Sequence, residues 1–236
     1  MQRYFVKEKN NENFVLTDND IHHITKVMRC KVDDKIEVVY KKNIYLCNID
    51  EINPLSISII DKYEEDRELN IELTVAVALV QEQKFDLILQ KLTELGVSSI
   101  IPLKTERSIV KIEPSKEEKK IIRWQTICKE ASEQSKRIVV PKIHKITTMK
   151  ELVNNKKQLN LICSLNDKTQ PLEQYLTKEI NDILFVIGPE GGFTQKEEEF
   201  LIDNDFECTT LGKRVLRVET AAIYVASIIN YIYKGW

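Results

Sequence analysis

Glycine is scarce in this chain, with six in 236 residues against roughly sixteen at average usage. The five cysteines (Cys30, Cys47, Cys128, Cys163, Cys208) are odd in number and scattered, without a CxxC pair or a Cys/His cluster. A disulfide framework and a zinc site are therefore not suggested, and buried, reduced thiols are expected. Long apolar runs are missing as well. The longest uncharged stretch near the C-terminus, Thr220 to Tyr233, has 14 residues, short of the roughly 20 that a spanning helix needs. The opening MQRYFVKEKN lacks the apolar core of a signal peptide, which leads to the expectation of a cytoplasmic protein. Neither charge dominates: a net charge of −2 argues against a protein that coats nucleic acid indiscriminately. The chain also holds no GxGxxG, no GxxxxGK[ST] and no nucleophile–base motif.

What remains is the composition of an ordinary globular protein, 42% hydrophobic and 31% charged, long enough for one large domain or two smaller ones. Two grammars divide it. Residues 1–67 read as β-rich: IEVVY (36–40) and IYLCNI (44–49) flank a short polar turn, Lys41-Lys42-Asn43, as in a hairpin. LSISII (55–60) alternates apolar and polar residues and adds a strand. DIHHITKVMR (20–29) predicts a short helix with Asp18 or Asp20 near its N-cap, on which His22 and His23 are read as structural. DKYEEDREL (61–69) reads as a charged linker.

From Ile71 onward strands and helices alternate. IELTVAVALV (71–80) is continuously apolar, as in a strand covered on both faces. FDLILQKLTELG (85–96) puts Phe85, Ile88, Leu89, Leu92 and Leu95 on one helical stripe, with Gly96 suited to the position after the helix. VSSIIPL, LNLICSL, ILFVIG and FECTTLG follow as strands. This predicts an α/β domain with a mainly parallel sheet and a site at the strands' C-terminal ends.

The charge is uneven along the chain. Pro102 to Lys145 carries 12 Lys/Arg against 6 Asp/Glu, whereas the first 70 residues carry 11 against 14. A polyanion is thus expected to meet the middle segment. On a helix over 116–137, Arg123, Ile127, Glu130, Gln134 and Arg137 share one face. Arg123 and Arg137 suit phosphate contacts and Gln134 a base edge, although a solvated face with Glu–Arg pairs is the commoner outcome for such a stripe. Lys104, Arg107 and Lys111 extend the basic surface.

Three of the six glycines fall within VIGPEGGF (186–193), at a strand-to-helix turn, where they admit positive φ and close approach of a ligand to the backbone. Glu190 in mid-loop would repel phosphate, so a nucleotide cradle is not indicated, and alone the loop would read as a tight turn. A second loop, LGKRVLRVET (211–220), leads into a slim helix through Ala221, Ala222 and Ala226, with Thr220 as a plausible N-cap.

Together, IGPEGGF and LGKRVLRVETAA resemble the paired signature of SPOUT-class RNA methyltransferases. The likeness is to the ribosomal RNA small subunit methyltransferase E family, which methylates uridine N3 in 16S ribosomal RNA. HHITKVMR (22–29), QKLTELGV (90–97), TERSIVK (105–111) and EQSKRIVVPKI (133–143) resemble its other blocks in the same order. The resemblance implies a small N-terminal PUA-like β-barrel (1–67) and a C-terminal SPOUT α/β domain (71–236) with a deep trefoil knot. It also implies S-adenosylmethionine (SAM) as methyl donor without a metal, a homodimer, and 16S ribosomal RNA in the small subunit as partner.

Carried onto this sequence, the cofactor would be held by Leu165, Ile187, Gly188, Glu190, Gly191, Gly192, Leu211, Gly212, Val215 and Leu216. Arg217 would stabilise charge on the uracil, and Glu219 would orient Arg217 or act as base, a helix-capping or ion-pair role being an equal alternative. RNA would be met by Arg3, Arg29, Lys104, Arg107, Gln134 and Arg137. The nucleophile in such a reaction is the base itself, which agrees with the missing Ser and Cys motifs. An oxidoreductase lacks its glycine fingerprint here; a non-catalytic RNA-binding or ribosome-assembly factor on the same fold is the remaining alternative.

Overall fold

The computed structural model describes residues 1–10, 13–65, 67–164, 169–177 and 179–233. The chain forms two compact units: residues 1–67 with 132–139, and residues 68–131 with 140–236.

In the first unit the strands are β1 (Arg3–Phe5), β2 (Lys9–Asn10), β3 (Asn13–Phe14), β4 (Lys35–Tyr40), β5 (Asn43–Ile52) and β6 (Leu55–Tyr63). They make a four-stranded sheet in the order β1-β4-β5-β6 and a separate β2-β3 ribbon. The β4–β5 hairpin turns at Lys41 and Lys42, both at positive φ, while Asn43 already pairs with Tyr40. Two-residue turns with left-handed geometry match the strands' own twist, so here two lysines accept a conformation usually given to Asn or Gly. Helix α1 (Asp18–His22) is capped by Thr17 rather than by either aspartate; Asp20 completes the capping box from the third helical position. The turns after it, His23–Val27, are π-helical, and His23 Nδ1 lies 2.9 Å from the Tyr4 hydroxyl.

One face of this sheet is apolar, built on Tyr4, Ile36, Val38, Cys47 and Ile49. Because side chains alternate along a strand, the intervening residues Arg3 and Glu37 turn to the opposite face, where they are register partners. The Arg3 Nε donates to Glu37 Oε2 at 2.9 Å, its other amines reach Glu65 and the carbonyls of Lys136 and Arg137, and Arg3 is only 1% exposed. Lys136 and the Tyr63 hydroxyl also donate to Glu37, and Glu133 accepts from the Phe5 amide. This network draws residues 132–139 into the first unit. The stretch read as a linker therefore begins as strand, through Tyr63, and its Glu65 is part of the network.

The second unit contains β7 (Glu72–Ala78), α2 (Glu82–Glu94), β8 (Ser99–Lys104), α3 (Pro114–Gln134, its last three residues in the first unit), β9 (Lys142–Ile143), β10 (Thr147–Thr148), α4 (Met149–Leu152), β11 (Leu159–Cys163), β12 (Gln170–Pro171), β13 (Asp182–Ile187), α5 (Gln195–Ile202), β14 (Glu207–Thr210) and α6 (Val218–Tyr233). Its strands are parallel in the order β10-β8-β7-β13-β11-β14-β12, with β9 also on β8. Alternate residues of one strand serve two cores. Val75, Val77 and Phe185 join the Phe85–Ile88–Leu89–Leu92 stripe of α2 and the Ala222, Val225, Ala226 and Ile229 side of α6. Ala76, Leu184 and Val186 face the other way, toward Leu152 of α4 and Leu201 of α5. Gly96, just past α2, takes φ +89°, where a side chain would also strike Leu69. No helix among the described residues is long and apolar enough to cross a membrane.

Candidate active site

Three adjacent strands, β13, β11 and β14, end beside one another, and a pocket opens at their C-terminal ends. The β13 side is the glycine loop. After Ile187, Gly188 sits under the Phe193 ring, whose Cε2 would lie 3.2 Å from an added Cβ. The Gly192 amide closes a tight turn onto the Pro189 carbonyl at 2.9 Å, with Gly192 at φ +67°, a region that L side chains rarely enter. Thr194 then caps α5 through a reciprocal box with Glu197.

The β14 side is the loop from Leu211 to Arg217. Gly212 takes φ +111° with open space at its Cβ position, and Thr210 Oγ1 accepts from its amide at 3.3 Å. α6 begins at Val218, with the Ala221 amide donating to the Arg217 carbonyl. Thr220 is therefore inside the helix and is not its N-cap. Ile187, Leu211, Leu216, Val218 and Ala221 give the pocket an apolar wall, closed on the β11 side by Cys163 and Ser164. Burial pushes the Cys163 thiol up to about 11, so at neutral pH it is a neutral, inert surface.

The charged side chains that line the pocket among the described residues are Glu190 and Arg214; Arg217 and Glu219, expected to do the chemistry, stand at the start of α6 and are not among the lining residues. Glu190 pairs with Lys84 of α2, which holds its carboxyl below the usual range; Arg217 acts in the same direction more weakly. Glu219, in the first turn of α6, has a buried Oε2 with no hydrogen-bond partner among the described residues. An unmet buried carboxylate oxygen is costly, and it marks a place where a donor is expected to arrive.

The structure brings together most of the residues expected at the cofactor. Ile187, Gly188, Glu190, Gly192, Leu211, Gly212, Val215 and Leu216 all line the pocket, whereas Leu165 lies outside the described residues. Gly191 stands apart: its side faces Arg107, which donates to the Gly191 carbonyl at 2.8 Å and to the Phe193 carbonyl at 3.2 Å. Arg107 is thus engaged at the pocket loop.

Two further arginines assigned to RNA are placed in the interior. Arg3 is enclosed by the Glu37–Glu65 network, and Arg137 follows the end of α3 after Lys136 at positive φ and is 4% exposed. The helical stripe is broken there, since α3 stops at Gln134, and Arg123 is bidentate on Asp86 with Glu82 beside it. Arg29, Lys104 and Gln134 are exposed. Lys84, Phe193, Arg214 and Cys163 escaped the sequence reading. Phe193 was visible in the motif itself, but the Lys84 pairing spans 106 positions and left no local signal. Among the described residues no cluster of three or more His, Cys, Asp or Glu side chains could hold a metal.

Comparison with known proteins first defines a class. Residues 67–230 match the RNA methyltransferase domain family and residues 16–62 the RNA methyltransferase PUA domain family. The chain is 34% identical to ribosomal RNA small subunit methyltransferase E of Bacillus subtilis, covering 98% of this chain and 96% of the relative. It is 33% identical to the enzyme of that name from Mesomycoplasma hyopneumoniae, over 95% and 97%. The crystal structure of a Neisseria gonorrhoeae ribosomal RNA small subunit methyltransferase E bound to S-adenosyl methionine superposes with a TM-score of 0.89 at 29% identity, covering 99% of this chain and 98% of that one. The chain belongs to the ribosomal RNA small subunit methyltransferase E family.

Proposed function

We propose that this protein transfers a methyl group from SAM to N3 of a uridine in the 16S ribosomal RNA of the small subunit. The observation that carries the reading is the pocket at the ends of β11, β13 and β14, whose walls are glycine backbone and apolar side chains. A flat adenine and a ribose fit such a surface, and the lack of a phosphate cradle suits a ligand without phosphate. When bound, the cofactor's sulfonium supplies an electrophilic methyl group.

The chain's own residues do the rest. Gly192 and Gly212 leave the backbone bare where side chains would fill the niche. Arg217, exposed at the start of α6, is suited to neutralise charge that develops on the uracil oxygens. The unpartnered Oε2 of Glu219 is suited to take the imide proton or to hold Arg217 in place. Arg29, Lys104 and Gln134 offer exposed groups to the RNA.

The same reading takes residues 1–67 as the PUA-like RNA-binding part and 71–236 as the methyltransferase part with a trefoil knot, acting as a cytoplasmic homodimer. Tyr224 on α6, at 46% exposure, and Val215, at 77% exposure beside the pocket, are large apolar groups that suit contact with a second copy. Labelled SAM incubated with unmodified small ribosomal subunits, followed by mass spectrometry of the RNA digest, tests the proposal. A new 3-methyluridine is the expected product. SAM binding without methyl transfer to any ribosomal RNA would point instead to an RNA-binding or assembly factor.

A further inference from the structure

We infer that Arg107 is a positioning residue of the cofactor loop, which holds the glycine turn in its binding form from outside the pocket. The inference rests on the cofactor reading above. Arg107 belongs to a four-residue turn, Thr105–Ser108, that locks itself. The two hydroxyls lie 2.7 Å apart, the Ser108 amide donates to the Thr105 carbonyl, and both outer residues are buried. The two inner residues reach across to the glycine loop and α5. The Glu106 amide donates to Glu197 Oε1 at 2.7 Å, and Thr194 Oγ1 donates to the Glu106 carboxylate at 3.4 Å.

Arg107 Nη1 bridges the carbonyls of Gly191 and Phe193, on either side of Gly192. A peptide unit is planar, so holding the Gly191 carbonyl toward Arg107 turns the Gly192 amide away from it, toward Pro189, where its hydrogen bond is found. Without that grip two adjacent glycines would sample many conformations. Two charge-assisted bonds from one guanidinium nitrogen favour one of them before the ligand arrives, and preorganisation of this kind is expressed as affinity.

The test compares the whole protein with Arg107→Met and Arg107→Lys, using calorimetry with SAM and steady-state kinetics with small subunits. Arg107→Met removes both carbonyl bonds and is expected to raise the Kd and KM for SAM at least about tenfold, the size of one lost charge-assisted hydrogen bond being the lower bound, with an unchanged KM for RNA and unchanged Tm. Arg107→Lys, which keeps a donor, is expected to recover part of the loss. A raised KM for RNA at unchanged SAM affinity would make Arg107 a phosphate contact and overturn the inference, as would wild-type values for both substrates. Loss of SAM affinity that tracks a lowered Tm in both variants alike would show a general structural role and overturn it too. A wild-type protein that fails to bind SAM would remove the reading of the pocket itself, a result visible before any variant is compared.

Discussion

At the scale of single residues, the site separates groups that make room from groups that carry charge. Gly212 makes room: its φ of +111° and the open space at its Cβ position mean that Gly212→Val adds strain of about 1–3 kcal/mol and puts two methyl groups into the niche. SAM affinity should fall at least about tenfold by calorimetry. Arg217 and Glu219, proposed for the chemistry, carry charge beside the pocket at the start of α6. Arg217→Ala is expected to lower kcat by about 10²- to 10³-fold, as for loss of one oxyanion donor, with SAM binding retained. Glu219→Gln keeps the shape and removes the proton acceptor, so kcat should fall at near-constant SAM affinity. Wild-type turnover in either variant would remove that residue from the chemistry.

At the scale of elements, alternation along strands explains the apolar cores and the buried Arg3–Glu37 ion cluster. Arg3 and Glu37 lie where β1 and β4 turn away from the apolar face, and the cluster they form anchors residues 132–139. Removing one partner leaves the other buried and unmet, so Arg3→Ala should destabilise the first unit by about 3–5 kcal/mol in denaturant unfolding. Burial by itself would raise the Glu37 carboxyl, but bonds from Arg3, Lys136 and Tyr63 outweigh it and hold the carboxyl below its usual value. A carboxylate depressed in the folded state contributes stability fully above its unfolded pKa of about 4.3, and loses it as pH falls through the lower folded value. Acid titration of unfolding should therefore show a loss below about pH 4.3 that Glu37→Gln reduces; an unchanged profile would mean that the cluster contributes nothing.

At the scale of the whole molecule, the apolar side chains left exposed on α6 and at Val215 lead to the expectation of a dimer by sedimentation at micromolar concentration. Tyr224→Glu, placed on that surface at 46% exposure, should shift the protein toward monomer, and a wild-type chain that sediments only as monomer would refute the expectation. Much of the architecture was legible in one dimension because it depends on local periods. The continuous apolar run of β7, the 3.6-residue stripe of α2 and the two glycine-bearing loops each announced themselves within ten or so residues. The resemblance of those loops to a methyltransferase signature also named eight of the sixteen residues that line the pocket.

Other features depend on contacts between distant segments, which no local pattern records. The stripe Arg123–Gln134–Arg137 obeyed helical spacing, yet α3 stops at Gln134 and Arg137 turns inward, because Lys136 takes a left-handed conformation and its carbonyl meets Arg3. Arg3, Arg107 and Arg137 have the same chemistry as a phosphate-binding arginine, and only their surroundings decide whether water, RNA or a buried carboxylate receives the charge. By itself the sequence determined the longer strands and helices, where the bare backbone lies and which family the loops resemble, since each of these is written in neighbouring residues. The tertiary structure alone decided which arginines are enclosed and which exposed, that Lys84 and Arg107 bond to the glycine loop, and that Glu219 Oε2 has no partner among the described residues, because a side chain's partners are set by the fold that surrounds it.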